Sequence, residues 1–357
     1  MANNSLVPIL KTRFDTFQSK DFGGGLVTIN VDTDVAPNQL TGGRNMDVNG
    51  NSPEKRKGHT IYGSIAGFTT KVLGLIVHEP PGGTTEFLRV YNTVVQRYVS
   101  GTWTALTSVT MTTDLPTDSA YFPFTGKTYI LNGTDQVVKY TSGTAGDQTD
   151  ASFKKGKYIV EYQGHLMVAG VSTQESYVWY TDVAVDTFSA NNYVRVNGTV
   201  TGLKVLNDKL MILTKDKIFV LQNFTFDGNQ VSPVPVPGLR SGVGCIAHRT
   251  WCLVGSLAYF LGLSADGMAA VYVTDGLTVG NDPISLAINP DFTALAPAQL
   301  VNACAGVWGR YYRISVAGTG QSTNNLEYIY DTVKKRWSPP YTNGVGGFSC
   351  YANYTIS

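Results

Sequence analysis

Apolar residues in this chain come in short, strand-length runs, each closed by polar turn formers. Leu210-Met211-Ile212-Leu213 and Ile218-Phe219-Val220-Leu221 are two such runs. Asn207-Asp208 precedes the first and Lys215-Asp216 separates them. Short Asx side chains tolerate the left-handed backbone of a tight turn, so the stretch Leu203 to Leu221 predicts a β-meander. The phrase recurs. Residues 124–140 turn at Gly126 and at Asn132-Gly133, and residues 158–180 turn at Gln163-Gly164. Residues 252–273 repeat it around Ser256, and Tyr311–Val316 with Leu326–Tyr330 form a last copy. The first turns, at Gly126, Gly164, Asp208 and Ser256, are spaced by 38, 44 and 48 residues. A period of about 40–50 residues holding about four strands is the signature of a β-propeller blade. A sandwich has no such period.

The expected fold is therefore all-β, a propeller with an extended N-terminal arm. Residues 1–60 form the arm, rich in Asn, Asp and Gly with short strands, and residues 61–357 form the propeller. The blades are expected at about 61–107, 108–150, 151–200, 201–240, 241–290 and 291–357. Six blades fit the length, with five as the alternative. Pro233-Val-Pro-Val-Pro237 reads as a linker or a blade edge, because proline has no N–H for a central ladder. The stretches 190–196 and 284–288 read either as outer strands or as crossings between blades. The one helical candidate lies near 294–301, interrupted by Pro297. Trp103, Trp179, Trp251 and Trp337 are expected to stack between blades.

Composition narrows the functional classes. Of 357 residues, 43% are hydrophobic and 15% charged, enough for a buried core. A net charge of +1 argues against a protein that coats nucleic acid. Four cysteines, Cys245, Cys252, Cys304 and Cys350, lack C-x-x-C spacing and the histidines are scattered, so buried thiols are expected rather than a metal centre. Asp32-Thr33-Asp34 lacks the Gly and distal Glu of a calcium loop. The N-terminus has no positively charged leader before an apolar run, and no run approaches the ~18 apolar residues of a membrane span. A protein made in a cytoplasm, with no membrane insertion, is expected.

Catalytic signatures are not found. Ser264-Ala265-Asp266-Gly267 starts like the sialidase Asp-box, but Ala270 and Val271 stand where the Trp belongs. Glu161 and Glu175 have nothing to bring them to one pocket, and His165 begins an apolar strand. No enzyme activity and no cofactor are expected. The densest basic cluster, Lys55-Arg56-Lys57, is the one candidate binding site: either a solvated turn or a contact with DNA or a neighbouring subunit.

A family resemblance rests on several short motifs. Phe22-Gly23-Gly24-Gly25-Leu26, Pro37-Asn38-Gln39-Leu40, Asn45-Met46-Asp47 and Lys55-Arg56-Lys57-Gly58 resemble the opening F-x-G-G-L, P-x-Q, N-x-D and R-x-G phrases of many bacteriophage tail proteins. Ala258-Tyr259-Phe260-Leu261 with Ser264-Ala265-Asp266-Gly267 is similar to their F-L-S-x-D-G hairpin. Tyr330-Asp331 followed by Lys335-Arg336-Trp337 resembles their Y-D-x-x-x-x-x-W ending blade. The group most similar is the tail nozzle, or tail tubular protein B, of short-tailed phages. This chain is shorter than most nozzle proteins, which carry inserted platform domains. The resemblance implies a virion tail subunit assembled in the host cytoplasm, in a ring of six copies around the channel through which the DNA leaves. It also implies an adaptor on the portal side, tail fibre or plug proteins below, and transient DNA contact. Near-zero net charge suits a conduit that must not hold its DNA. Two alternatives remain at this point: a glycan- or receptor-binding propeller using Trp103 and Tyr98, and a propeller glycoside hydrolase.

Overall fold

The computed structural model describes residues 22–28, 36, 38–49, 52–56, 71–221, 234–235, 243–263, 266–280, 282–295, 297–342 and 347–353. Lys57, the D-x-D at 32–34 and Ser264-Ala265 lie outside these residues.

Six small antiparallel sheets follow one another along the chain, each built from one continuous stretch. Four short strands precede them: β1 (Gly25–Leu26), β2 (Gln39–Leu40), β3 (Met46–Asn49) and β4 (Ser52–Lys55). Blade 1 contains β5 (Val72–His78), β6 (Glu86–Tyr91), β7 (Val94–Val99) and β8 (Thr102–Leu106). Blade 2 contains β9 (Asp118–Phe122), β10 (Lys127–Leu131), β11 (Val138–Thr141) and β12 (Thr144–Asp147). Blade 3 contains β13 (Tyr158–Tyr162), β14 (His165–Val171), β15 (Gln174–Thr181) and β16 (Phe188–Arg195). Blade 4 contains β17 (Val200–Leu206), β18 (Lys209–Thr214), β19 (Ile218–Leu221) and β20 (Val234–Pro235). Blade 5 contains β21 (Cys252–Val254), β22 (Leu257–Leu263) and β23 (Ala269–Thr274). Blade 6 contains β24 (Cys304–Trp308), β25 (Tyr311–Val316), β26 (Leu326–Asp331) and β27 (Arg336–Thr342). The protein is a six-bladed β-propeller.

The repeated first turn is the hinge between the first and second strand of each blade. Gly126, Gly164 and Asp208 all sit there at positive φ, and Gly255 does so beside Ser256. The second strands, such as β18 and β22, are buried almost throughout, because a neighbouring blade covers each face. That explains their continuous apolar runs where a one-sided sheet would alternate. Residues 188–195 are the outer strand of blade 3, and the Val234–Pro235 segment is the outer edge of blade 4. The 284–288 stretch runs beside β23, with the Ile284 N–H donating to Val271 O, before turning away. The helical turns fall at Asn289–Thr293 and Pro297–Asn302 rather than across 294–301. Pro290 at the start of the first of these turns lacks only an N–H that a first helical turn leaves unpaired.

Five hydrophobic clusters fill five of the gaps between blades. Leu88 and Val90 meet Ile130 and Tyr140 between blades 1 and 2. Trp179, Trp251 and Trp337 sit in the clusters between blades 2 and 3, 4 and 5, and 5 and 6. Trp103 does not follow them. On β8, the outer strand of its blade, it packs against Phe87 and Tyr98 of the same blade, under the Arg89 guanidinium. Among the described residues, no hydrophobic cluster joins blade 6 to blade 1. Residues 347–353 sit there instead. Cys350 Sγ approaches Val72 O of blade 1, and Tyr351 packs on Gly306 of blade 6, where a Cβ would come within 2.8 Å of its ring.

Candidate functional site

The arm meets the propeller on blade 6, and the residues that carry the family resemblance make the joint. Arg336 donates to the carbonyls of Gly23 and Val48, the latter at 2.8 Å. Gly25, at φ 75°, lies against the Trp337 carbonyl, where a Cβ would come within 2.7 Å. Leu26 enters the core between blades 5 and 6. Asn45 exchanges bonds with Thr342 through its side-chain amide, and its N–H donates to Pro340 O at 3.1 Å. The opening and closing motifs, some 300 residues apart in the chain, thus form one contact. The described part of the arm docks on its own propeller.

The basic cluster divides at this joint. Lys55, at the end of β4, is exposed. Arg56 turns inward: its guanidinium lies 4.1 Å over the Tyr341 ring and 3.7 Å from Glu327 Oε2. Burial lowers the Arg56 pKa, against the opposing pull of Glu327. Glu327 is fully buried on β26, where alternation points it into the blade 6–blade 1 gap. Arg313 grips it bidentately at 3.0 and 2.8 Å. The Tyr351 hydroxyl donates to Glu327 Oε1 at 2.7 Å and contacts Ser315 Oγ. Burial pushes the Tyr351 pKa up, and Glu327 pushes it further. Burial also raises the Asp47 carboxyl, with Arg313 and Arg56 opposing. Where the other gaps hold apolar side chains, this one holds an ionic cluster drawn from the arm, blade 6 and the 347–353 segment. The sequence marks Arg56 only as part of a basic run. The partners that reverse its reading, Arg313 and Glu327, are isolated charges in apolar strands.

The second site is the propeller axis. The first strands of the blades surround a cavity of about 330 Å³, lined among others by Asp118, Lys204, His248, Arg249 and Trp251. A break in blade 5 supplies His248 and Arg249. Its inner edge, paired to β22 at Cys245 and again at β21, is interrupted by a 3₁₀ turn at His248–Thr250. Thr250 Oγ1 mends the ladder, donating to Ala247 O at 2.7 Å and accepting from the Leu261 N–H at 2.9 Å. Gly202 leaves room for the turn, since a Cβ there would lie 2.4 Å from His248 Cβ. His248 Nε2 stands 3.9 Å from Asp118 Oδ2, too far for a hydrogen bond. Burial holds His248 well below the usual histidine range, helped by Lys204 and Arg249, so it is neutral. Burial raises the Asp118 carboxyl, which Lys204 and the Ile159 N–H pull back.

The other sequence candidates disperse. Glu161 accepts from the Gly164 N–H at 2.8 Å and so holds its local turn, while Glu175 accepts from Thr199 Oγ1 at 3.3 Å on the surface. His165 is buried, its ring nitrogen 2.6 Å from Thr181 O. Cys245, Cys252, Cys304 and Cys350 are free thiols, and no metal-binding cluster of His, Cys, Asp or Glu occurs among the described residues.

Six exposed large apolar side chains gather towards one end of the propeller. Phe124, Val183, Val185, Leu277, Trp308 and Val333 are each 40–72% exposed. Phe124, Val183, Val185, Leu277 and Val333 lie in turns that follow a first or third strand, and Trp308 ends a first strand, positions that share one end of the barrel of blades. Phe124 and Val183 converge on Gly164, where a Cβ would meet both at 3.3 Å.

No family model and no curated protein matches the chain. Among solved structures, it is similar to the WD40 β-propeller domain of Doa1, at 11% identity and a TM-score of 0.48, over 78% of this chain and 85% of that one. It is also similar to the C-terminal WD40 domain of Sif2, at 11% identity and a TM-score of 0.46, over 79% of this chain and 74% of that one.

Proposed function

We propose that this chain is a structural subunit of a phage tail, a nozzle-like propeller that packs against copies of itself and neighbouring tail proteins around the DNA-ejection conduit. The observation that carries the reading is the joint between arm and blade 6. The F-x-G-G-L residues of the arm meet the Arg336-Trp337 end of the Y-D-x-x-x-x-x-W motif there, while Asn45 of N-x-D bonds Thr342 and Arg56 of R-x-G approaches Glu327, so the resembling residues gather on one blade. Two further features support it. A face studded with exposed Trp, Phe and Val suits packing against other proteins. The carboxylates singled out as acid–base candidates have separate partners, Glu161 the Gly164 N–H and Glu175 the Thr199 hydroxyl. With Arg56 engaged internally, Lys55 is the described residue of the basic cluster available for contact with DNA or a neighbour.

A ring of six copies follows the family expectation, with heterologous contacts that close by rotation. The glycan-binding alternative needs an open aromatic plate, and Trp103 has Arg89 at 4.4 Å over its ring. Peptide mass analysis of purified phage particles, together with negative-stain imaging of the chain with and without its tail neighbours, tests the proposal. The expected result is the chain's peptides in the particle and closed rings on assembly. Particles lacking the chain would remove it.

A further inference from the structure

The axial cavity has a charge and hydrogen-bond imbalance that the role in assembly does not use. Lys204 comes from blade 4, and His248, Arg249 and Trp251 from blade 5, all lining the same space. Arg249 donates to two neutral carbonyls, Ser349 O at 2.9 Å and Asn302 O at 3.3 Å. No carboxylate stands within ion-pair distance of Lys204 or Arg249 among the described residues. Asp118 is the one carboxyl in the lining. The lining thiols Cys252, Cys304 and Cys350 add no negative charge, because burial pushes them up to about 12, 12 and 11.

Three buried polar atoms of the lining residues also lack a hydrogen-bond partner among the described residues: Thr117 Oγ1, His248 Nε2 and the Trp251 indole N–H. Trp251 is only 7% exposed. A buried donor without a partner costs roughly 1–3 kcal/mol, so unpartnered groups beside an open volume point to something that fills it. A volume of about 330 Å³ holds one small ion with several waters, at ~30 Å³ per water, and is too small for a nucleic-acid strand.

We propose that the axial cavity binds one small oxyanion of the phosphate, sulfate or carboxylate class. Lys204 and Arg249 supply the charge, and the Trp251 N–H and His248 Nε2 supply directional bonds. The ion ties blade 4 to blade 5 at the axis. The reading is independent of any place in a virion.

Thermal unfolding of the full chain in potassium chloride, phosphate, sulfate and acetate, matched for ionic strength, tests it. A bound ion gives a saturable rise in Tm of roughly 2–4 °C at about a hundredfold excess over Kd. General exclusion of sulfate or phosphate from the surface gives a rise that does not saturate. The Lys204→Met variant loses the saturable rise, and Lys204→Arg keeps it. Acetate against phosphate distinguishes a planar from a tetrahedral ligand. A non-saturating rise, or one unchanged in Lys204→Met, overturns the proposal. Should Lys204→Met fail to fold, calorimetric titration of the unaltered protein decides: a one-to-one isotherm for any of the three ions supports the site, and the absence of heat for all three overturns it.

Discussion

Replacing Glu327 with Gln tests the ionic seam between blades 6 and 1. The substitution keeps the shape but turns one accepting oxygen into an NH2 donor and removes the negative charge that Arg313 grips and Arg56 approaches. Glu327 is fully buried, and the Arg313 and Arg56 side chains are 18% and 14% exposed. Taking one partner from a buried pair leaves an uncompensated charge, which costs about 3–5 kcal/mol, against about 0–1 for a pair in water. The lower figure applies here, since both guanidiniums keep some solvent, so the expected loss is about 3 kcal/mol. At about 2.1 cal/mol/K per residue over 357 residues, the unfolding entropy is about 0.75 kcal/mol/K, and Tm falls by about 4 °C. Urea unfolding of Glu327→Gln beside Asp114→Ala makes the comparison internal. Lys71–Asp114 is an exposed pair, with side chains 50% and 74% accessible, and its loss costs under about 0.5 kcal/mol. If Glu327→Gln unfolds at the same midpoint as Asp114→Ala, the seam is not held by buried charge and the argument fails.

Three further outcomes follow from other parts of the molecule. Tyr351→Phe removes the hydroxyl that donates to Glu327 and is expected to cost about 1.5–3 kcal/mol, with hydrogen exchange rising first in Val72–His78; unchanged exchange there would separate the 347–353 segment from ring closure. Gly202→Ala places a methyl against His248 and is expected to cost about 1–3 kcal/mol by overpacking, read from the urea midpoint. Burial lowers the folded-state pKa of His78, His165 and His248 below 6.5, so the unfolded chain binds protons first on acidification. Their contribution is therefore full above about pH 6.5 and is lost as pH falls towards the folded values. Asp118 and Asp47, raised by burial, act with the opposite sign in the more acidic carboxylate range. A urea midpoint that stays level between pH 7.5 and 5.5 contradicts the assignment of three buried neutral histidines.

The blades were legible because their signal is local. An apolar run between two turn formers specifies a hairpin, and the recurrence of Gly126, Gly164 and Asp208 at one point of each blade set the period. Blade 5 was harder to read, since the His248–Thr250 turn interrupts its inner edge without a Gly or Pro to announce it. The candidate site was less legible, because its meaning lies in contacts between distant residues. Arg56 in Lys55-Arg56-Lys57 reads as surface charge until Glu327 is placed beside it. Trp103 resembles the other tryptophans in sequence, yet it occupies an outer strand, where its face meets Arg89 instead of a neighbouring blade. No spacing rule links Lys204 to His248. They meet because strands of different blades converge on an axis.

The continuity of each blade along the chain has a kinetic consequence. Hairpins close loops of a few residues, and each stacked pair of blades joins neighbours in sequence, so most of the structure accumulates by short-range steps. The contact of Cys350 with Val72 is different, since it spans 278 residues. Closing a free loop of that length costs about 5 kcal/mol in chain entropy, apart from a constant. A curved stack of blades reduces this by carrying the two ends towards each other. Folding should therefore pass through an open arc, and its two unpaired flanks stay available to another chain until the gap is sealed.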